Sequence, residues 1–260
     1  MTAVRICSWN VNGIRPTLQR GEFQAWLDSS EPDVVGLQEV KAFPGQVDAA
    51  VWESRGYRAW WHPAERPGYS GALLLSRLEP LDVTPGLGYP AFDVEGRVIK
   101  ADFGAFTLLT AYFPNSARHG ARLEFKEAFC EAFLAVVNGL RAEGRRVVFM
   151  GDLNIAHHEI DLARPAESEG SAGWLPEERA WMDRYVEEGW VDTFRALHPD
   201  AVGAYTYWEP WRDRRARNIG WRIDYVCADR ALFPRVREAF IEADIMGSDH
   251  CPVGIVLDID

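Results

Sequence analysis

The sequence predicts a layered α/β fold built on a mixed sheet or sheets, and the order of its apolar segments is the main evidence. Short β-type runs recur along all 260 residues; helical stretches separate some of them, while others follow one another directly. Consecutive strands can pair antiparallel and strands joined through a helix can pair parallel, so both pairings are expected. Since neither a change in composition nor a Gly/Ser linker marks a boundary, residues 1–260 are expected to form a single domain.

Eight short segments carry the apolar and β-branched residues typical of strands. In chain order they are Val4–Trp9, Asp33–Leu37, Ala72–Leu75, Val98–Phe103, Phe106–Phe113, Arg146–Met150, Ile223–Cys227 and Val253–Ile259. The clearest helix is predicted from Arg122 to about Glu143, because its large apolar residues recur on one helical face and Gly144 follows as a stop signal. Further helices are predicted at Gly21–Ser29, Val47–Ser54 and Pro176–Glu188.

The net charge of the chain argues at first against a nucleic-acid partner. The formal charge is −11, from 28 Lys and Arg against 39 Asp and Glu. Proteins that bind nucleic acid usually carry a basic surface patch, and the negative net charge of this chain gives no sign of one. The local distribution differs, because residues 211–222 contain five arginines and one aspartate. Any face that binds nucleic acid would therefore be a local basic stripe.

The sequence carries no signal for a membrane or an oxidising compartment. No apolar run approaches the roughly 18 residues that span a bilayer, and strand-like sequence begins within the first residues without a signal-peptide core. The four cysteines lack metal-binding spacing and lie in apolar surroundings, so they are expected to be buried free thiols. We therefore expect a cytoplasmic protein that makes no contact with membranes.

Polar side chains cluster at the ends of five separate predicted strands. Any one of them could be a turn residue, a helix cap or a surface charge. Ligand sites in α/β proteins gather where loops from different strands converge, so five such ends together favour a shared site. The residues are Asn10, Asn12, Gln38, Glu39, Lys41, Tyr112, Asn115, Asp152, Asn154, Asp249 and His250.

The oxygen-rich residue types at these ends favour Mg²⁺ or Mn²⁺ over Zn²⁺. Mg²⁺ typically accepts one or two protein carboxylates and completes its shell with water and phosphate oxygens. The candidate ligands are the carboxylates Glu39, Asp152 and Asp249 and the carboxamides Asn10, Asn12 and Asn154.

The remaining groups suit hydrolysis of a phosphodiester by water, without a covalent enzyme intermediate. His250 could donate a hydrogen bond to a phosphoryl oxygen, and Asp224 could orient it and keep it protonated. Asp152 could activate the water, while Tyr112 and Asn154 stabilise the charge that develops in the transition state.

Eight motifs follow one another between residues 8 and 252: Ser8–Arg15, Leu37–Lys41, Tyr69–Gly71, Glu95–Val98, Thr110–Asn115, Gly151–Asn154, Asn218–Tyr225 and Gly247–Pro252. Together they resemble the exonuclease III / abasic-site (AP) endonuclease family, within the wider DNase I-like metal-dependent phosphoesterase fold. The resemblance implies a four-layered α-β-β-α sandwich, in which two mixed sheets pack face to face with helices outside. It further implies that residues 1–260 form one endonuclease/exonuclease/phosphatase-type catalytic domain, with its site at one end of the sandwich.

The resemblance also implies a reaction and a metal. Family members cleave the phosphodiester 5′ of an abasic site in double-stranded DNA and leave a 3′-hydroxyl, and many also trim blocked 3′ ends or degrade one strand 3′→5′. Glu39 would be the principal Mg²⁺ ligand, with Asn10 or Asn12 and Asp249 as further candidates and Mn²⁺ as a substitute ion. The protein would act as a monomer, and the balance between the endonuclease and exonuclease activities stays open.

The same resemblance assigns the catalytic groups. Asp152 would activate or align the attacking water with support from Asn154, and Tyr112 would lie against the scissile phosphate. His250, oriented by Asp224, would contact a non-bridging phosphate oxygen.

Substrate recognition has its own candidate residues. Tyr207, Trp221 and Ile223 match the apolar pocket that receives the extruded abasic deoxyribose in this family, although Tyr207 could equally be a core aromatic on a strand. Arg118 follows Asn115 at the position where relatives insert an arginine toward the DNA. Further substrate contacts, for which ordinary surface or structural roles are the alternative, are predicted at Lys41, Tyr69, Arg97 and Asn218.

The sequence departs from the family pattern at a few positions. Asn12 stands where many relatives carry Asp, which puts a metal contact there in doubt. Ser168 and Ser171 occupy positions where relatives often present asparagines, so no phosphate-binding role is assigned to them. His157-His158 has the appearance of a metal pair, but it lies in a loop that varies among relatives.

Two alternative functions use the same residues. A phosphatase of inositol polyphosphates or a sphingomyelinase would share the metal and histidine core, but would not need the segment from Asn218 to Trp221 with its neighbouring arginines and aromatics. A catalytically silent DNA-binding relative would have lost at least one core group. All five are present: Glu39, Asp152, Asn154, Asp249 and His250.

Overall fold

The chain forms two six-stranded mixed sheets, in a computed structural model that describes residues 2–259. From edge to edge, the first sheet contains β11 (Val236–Ile241), β12 (Val253–Ile259), β1 (Thr2–Asn10), β2 (Val34–Gln38), β4 (Ala72–Ser76) and β3 (Arg58–His62). The second contains β5 (Asp82–Pro85), β6 (Val98–Asp102), β7 (Thr107–Tyr112), β8 (Val147–Asp152), β10 (Asp224–Asp229) and β9 (Trp190–Asp192).

Helices connect the strands that pair in parallel. Among the described residues, β1–β2 and β7–β8 are the parallel pairs, and the other neighbouring strands pair antiparallel. Parallel pairing requires a crossover, which α1 (Ile14–Gln19) and α2 (Glu22–Ser30) supply for the first pair and α5 (Leu123–Ala142) for the second. The remaining helices are α3 (Ala50–Glu53), α4 (Pro90–Asp93), α6 (Pro176–Glu187) and α7 (Thr193–Leu197).

Alternation along the central strands creates the layers. In β1, Val4 and Ile6 belong to the cluster between the two sheets, whereas Cys7 and Trp9 pack with α1 and α2 on the outer face. On the other side, α5 and α6 cover the second sheet with an aromatic-rich cluster. Because each central strand is buried on both faces, it is apolar almost throughout. The layers are therefore helix, sheet, sheet, helix, and the predicted sandwich is confirmed.

The two sheets approach closely near the ends of β2 and β7. A Cβ on Gly36 would lie 2.3 Å from Oγ1 of Thr110, so only glycine fits without displacing the opposite sheet. Two residues further along β2, Nε2 of Gln38 donates hydrogen bonds to Oγ1 of Thr110 (2.9 Å) and to Oγ of Ser8 (3.0 Å). This buried network ties the two sheets together directly below the strand ends that carry the polar residues.

The predicted segments are found with shifts of a few residues at their ends, but four strands were not predicted. All eight predicted strands and the long helix α5 are present, and the helix predicted at Val47–Ser54 is reduced to the single turn of α3. The strands without a sequence prediction are β3, β5, β9 and β11, which form the four edges of the two sheets. No helix among residues 2–259 is long and apolar enough to cross a membrane.

Candidate active site

Strand direction brings the polar ends together at one end of the sandwich. The parallel strands β1, β2, β7 and β8 present their carboxyl ends there, whereas β10 and β12 run antiparallel and present their amino ends. The register places Asp152 between Tyr112 on one side and Asp224 on the other. Several of these residues turn sharply after their strands with left-handed backbones: φ is +43° at Asn12, +49° at Glu39 and +52° at Asn154.

His250 and Asp224 form a buried ion pair. Nδ1 of His250 lies 2.8 Å from Oδ2 of Asp224, which also accepts a hydrogen bond from Oγ1 of Thr206 at 2.7 Å. Burial alone would lower the pKa of His250, but the carboxylates of Asp224, Asp152 and Asp249 outweigh it and raise the pKa to about 10. His250 is therefore an imidazolium at neutral pH, with Nε2 free to donate and 3.9 Å from Oδ2 of Asp152.

Asp152 is an almost fully buried carboxylate that lines the site. It accepts hydrogen bonds from Nδ2 of Asn10 (2.9 Å), from the backbone N–H of Asn154 (2.8 Å) and from Nδ2 of Asn154 (3.2 Å). Burial and then the charge of Asp224 raise its pKa to about 7, although the His250 imidazolium opposes the shift. A carboxylate with a pKa near neutrality can take a proton from water, which suits a general base.

Glu39 faces Asp152 across Asn10. Nδ2 of Asn10 also donates to Oε1 of Glu39 at 3.0 Å, and Nζ of Lys41 lies 2.8 Å from Oε2. Burial would raise the pKa of Glu39, but the charge and hydrogen bond of Lys41, followed by Asn10, hold it below its usual value. Glu39 is therefore ionised and ready to bind a cation.

Asn12 connects Asp249 with Lys41. Its Nδ2 donates to both carboxylate oxygens of Asp249 at 3.1 Å, and its Oδ1 accepts from Lys41. Oδ1 of Asn10 accepts from the backbone N–H of Asn12. In this arrangement the two carboxamides orient the acids, so Glu39 and Asp249 are the residues best placed to offer free oxygen lone pairs.

The donor chemistry fits a hard divalent cation. Carboxylate oxygens of Glu39, Asp152 and Asp249 converge at this end of the sandwich. Ligand atoms of Asp152, Asp224 and His250 also lie within 4.8 Å of one another. Because Asp224 holds His250 as an imidazolium, His250 has no free lone pair for a metal. The three residues are therefore better explained as a His250–Asp224 ion pair beside the base Asp152 than as a set of metal ligands.

A cleft of about 680 Å³ opens over these groups and brings most of the predicted residues together. Tyr207, Trp221 and Ile223 line one wall, where bridge pairing joins Tyr207 to both Trp221 and His250. The segment Gly170–Gly173 forms a further part of the wall. The other lining residues include Glu39, Tyr112, Asn115, Arg118, Asp152, Asn154, Asp249 and His250.

Tyr112 lies on the floor of this cleft as a neutral phenol. Burial, followed by the charges of Glu39 and Asp152, raises its pKa well above the usual value. Behind it, the guanidinium of Arg97 lies 4.7 Å from the ring centroid and donates to the backbone carbonyl of Tyr112. A neutral phenol keeps its proton, so Tyr112 can donate a hydrogen bond to a phosphate oxygen.

Several predicted substrate contacts have other partners in the structure. Arg97 is 2% exposed and donates to Oη of Tyr69 at 3.0 Å, so both lie behind Tyr112 and outside the lining of the cleft. Asn218 accepts from Nε1 of Trp208 (3.1 Å) and donates to the carbonyl of Gly203 (2.9 Å), which fixes a loop. Lys41 is paired with Glu39.

Sequence reasoning missed Thr206 and assigned no role to the wall segment Gly170–Gly173. Oγ1 of Thr206 donates to Asp224 and accepts the backbone N–H groups of Ile223 and Asp224, so it holds the start of β10. No spacing signal identifies it, because its partners are 17 and 18 residues away. Ser171 lies in the wall of the cleft, whereas Oγ of Ser168 is bonded to the carbonyl of Arg164.

The histidine pair has a structural explanation. The rings of His157 and His158 stack with centroids 3.6 Å apart, and Nε2 of His157 lies 2.9 Å from Oδ1 of Asp183 on α6.

A second cleft of about 600 Å³ shares Glu209 and Asp249 with the first, and its lining carries four arginines and four acids. Only part of the predicted basic stripe is available to it. Arg222 is buried against Asp161 and Asp192, and Arg215 donates to three backbone carbonyls. Three arginines of the stripe line the second cleft, namely Arg212, Arg214 and Arg215. Arg20 joins them from outside the stripe.

Comparison with known proteins agrees with this geometry. Residues 7–250 match the model of the Endonuclease/Exonuclease/phosphatase family. The chain belongs to this family. Relatives within it include an exodeoxyribonuclease of Bacillus subtilis, 40% identical over 98% of this chain and 100% of its own length. The DNA repair nuclease APEX1 of Danio rerio is also 40% identical, over 98% of this chain and 82% of its own length.

A solved structure extends the likeness to the whole fold. The AP endonuclease LMAP of Leishmania major superposes with a TM-score of 0.88 and 26% identity, over 99% of this chain and 88% of that one. The Endonuclease/Exonuclease/phosphatase family and this structural likeness thus agree with the paired sheets.

Proposed function

We propose that this protein is a Mg²⁺-dependent DNA repair nuclease that hydrolyses the phosphodiester 5′ of abasic sites. The observation that carries the proposal is one cleft in which a base, an imidazolium and a neutral phenol face an aromatic wall. The relatives named as a DNA repair nuclease and an exodeoxyribonuclease support DNA as the substrate. We further propose 3′→5′ exonuclease and 3′-end-trimming activity on duplex DNA, since these two reactions, like incision at an abasic site, hydrolyse a phosphate ester of DNA.

In the proposed reaction, Asp152 accepts a proton from the attacking water. Asn10 and Asn154 hold its carboxylate through three hydrogen bonds, so its orientation is set before substrate arrives. His250 donates from Nε2 to a non-bridging phosphate oxygen, and Asp224 keeps that imidazole protonated. Tyr112 donates a further hydrogen bond from its phenol, so the developing negative charge meets two donors already in place.

The metal is proposed to be Mg²⁺, with Mn²⁺ as a substitute. Glu39 would be its principal ligand, and Asp249 would assist. A bound cation would polarise the phosphate and stabilise charge on the leaving oxygen. Asn10 and Asn12 orient the two carboxylates through their N–H groups and thereby set the position of the ion.

Substrate selection is assigned to the wall formed by Tyr207, Trp221 and Ile223. A nucleotide without a base costs less to extrude from a duplex, and the small apolar wall excludes a normal nucleotide. Arg118 and Asn115 also line the cleft, where they would contact the DNA around the lesion. Residues 1–260 act in this proposal as one catalytic domain, as a monomer in the cytoplasm.

One paired assay tests the proposal. The protein is incubated with Mg²⁺ and either a duplex that carries one abasic analogue or an undamaged duplex with a recessed 3′ end. We expect incision 5′ of the analogue and slower shortening of the recessed end. Hydrolysis of a soluble phosphoester without any incision of DNA would instead support the phosphatase or sphingomyelinase alternative.

A further inference from the structure

A fully buried ion pair lies behind the catalytic cleft, between α5 and α6. Nζ of Lys126 is 2.7 Å from Oε1 of Glu178, and the two side chains are 2% and 1% exposed. Neither residue lines the cleft. Both nevertheless form short hydrogen bonds with backbone groups of segments that do, and those bonds carry the inference.

We propose that Lys126 and Glu178 are positioning residues for catalysis: Lys126 fixes the backbone at Asn154, and Glu178 fixes the backbone at Gly173 in the cleft wall and at the neighbouring Leu175. The inference rests on the function proposed above, because it assigns Asn154 and the wall to the same reaction. Neither residue touches the reacting atoms, so their effect is transmitted through the groups that they hold.

Lys126 acts on the residue that orients the catalytic base. Its Nζ donates to the backbone carbonyl of Asn154 at 2.6 Å. Asn154 has the left-handed φ of +52°, and its N–H and Nδ2 both bond to Asp152. A non-glycine residue keeps such a backbone only when its surroundings hold it there. The Lys126 bond fixes the carbonyl side of Asn154, and the Asp152 bonds fix the amide side.

Glu178 acts on the wall segment Gly170–Gly173. Its Oε2 accepts the N–H groups of Gly173 at 2.6 Å and Leu175 at 3.0 Å. The bond to Leu175 is the ordinary reach of an acid in the first turn of α6 back to the start of the helix. The bond to Gly173 goes further, because this glycine packs tightly: a Cβ would lie 3.2 Å from the Asn154 carbonyl oxygen and 3.3 Å from the Trp221 ring.

The choice of a charged pair also indicates a positional role. A buried ion pair contributes little net stability compared with apolar side chains of similar volume, because both charges lose their hydration. What apolar side chains cannot provide is a donor for the Asn154 carbonyl and an acceptor for the Gly173 N–H. The backbone of Ala156 also donates to the Gly173 carbonyl at 2.9 Å, so the two segments that the pair holds are themselves joined.

The experiment separates positioning from folding stability by comparing single and double variants. Lys126→Met leaves Glu178 unpaired, whereas Lys126→Met with Glu178→Leu removes both charges. Glu131→Gln is the matched control, because Glu131 and Arg184 form an ion pair between the same two helices at the surface, with side chains 59% and 41% exposed. Each protein is assayed for its thermal unfolding midpoint, its dissociation constant for an abasic-analogue duplex in EDTA, and its single-turnover incision rate with Mg²⁺.

We expect Lys126→Met to lower both the unfolding midpoint and, by roughly 10- to 100-fold, the incision rate, as for other residues that orient catalytic groups. The double variant should regain part of the unfolding midpoint but not the rate, since the Asn154 carbonyl still lacks its donor and the Gly173 N–H its acceptor. Lys126→Arg, which retains a charged donor, should recover a large part of the rate. Glu131→Gln should match the wild type in all three measurements.

A double variant that recovers both stability and incision rate would overturn the inference, because the pair would then be structural only. A Lys126→Met protein with the wild-type rate would overturn it as well. If the wild type fails to incise the duplex, the proposed function fails, and hydrogen exchange then decides the inference separately. In that case faster amide exchange at residues 152–156 and 170–175 in the double variant, but not in Glu131→Gln, would support it, and unchanged exchange would overturn it.

Discussion

At the scale of single residues, the proposed reaction depends on His250 keeping its proton and on Asp152 accepting one from water. Asp224 keeps His250 protonated, while burial leaves Asp152 with a pKa of about 7. The two groups lie 3.9 Å apart at Nε2 and Oδ2, so each influences the charge of the other. Changing either should therefore disturb the chemistry more than the binding of DNA.

Asp152→Asn and His250→Ala should each lower turnover by orders of magnitude. The amide cannot accept a proton from water, and alanine removes the donor for the phosphate oxygen. Binding of an abasic-analogue duplex, measured in EDTA, should change little. A variant that binds poorly but incises at the normal rate in single turnover would contradict these roles.

The raised pKa of His250 also predicts a dependence of stability on pH. The folded state binds the proton with a pKa of about 10, against about 6.5 for an exposed histidine. The imidazolium therefore contributes its full stabilisation below about pH 6.5 and loses it as the pH rises through 10. Urea unfolding in EDTA should show a difference between wild type and His250→Gln that shrinks between pH 6.5 and 10. A constant difference would mean that the ion pair does not form.

The sequence predicted the acids, amides and histidine of the cleft because strand ends and residue chemistry are local properties. It could not predict which polar residues would be used internally. Arg97 and Asn218 both lie within motifs that mark the site, yet their side chains bond to Tyr69 and Trp208 and do not line the cleft. Thr206 was not predicted, because its partners come from a distant strand.

At the scale of elements, central strands were predictable and edge strands were not. The central strands are buried on both faces and form apolar runs, whereas β5 is a four-residue edge strand, Asp82–Pro85, with mostly exposed side chains. Edge strands are commonly short and polar, which limits pairing with other chains. Among the unpredicted strands, β5 therefore lacks an apolar run, and β9 is only three residues long, which is too short for a periodic pattern.

Close contact between the two sheets gives a prediction for Gly36. Gly36→Ala places a Cβ 2.3 Å from Oγ1 of Thr110 and 2.5 Å from Cε of Met150, so the sheets must separate locally. Overpacking of this kind costs typically about 1–3 kcal/mol. Urea unfolding should show that loss, together with lower activity, because Gln38 and Thr110 lie under the catalytic strand ends.

The matched control for Gly36 is Gly139→Ala within α5. No atom lies within 4 Å of the Cβ that this change adds. Alanine is favoured over glycine in a helix interior by about 1 kcal/mol, so this variant should be at least as stable as the wild type. Equal destabilisation by both changes would show that the contact between the sheets does not explain the effect at Gly36.

At the scale of the whole molecule, the charge of −11 coexists with a group of arginines in the cleft beside the catalytic one, where four acids accompany them. The bulk charge opposes long-range attraction to DNA, so binding must rest on a few local contacts. The sequence indicated such a region at residues 211–222, but it could not show that Arg222 is buried against acids. Of the remaining arginines, Arg212 and Arg214 lie over the half-exposed ring of Trp211 in the second cleft.

Neutralising these two arginines should weaken the binding of all duplexes and reduce its dependence on salt. Each phosphate contact contributes about one unit to the slope of log K against log salt concentration. Arg212→Gln with Arg214→Gln should therefore lower the slope by up to about two, measured in EDTA on undamaged and abasic duplexes. The control is Arg145→Gln with Arg237→Gln, which removes the same amount of charge at another place on the surface. Both side chains are exposed, and Arg145 precedes β8 at the end of the sandwich opposite the site. If the control pair lowers the slope as much, net charge governs binding and the second cleft has no special part in it.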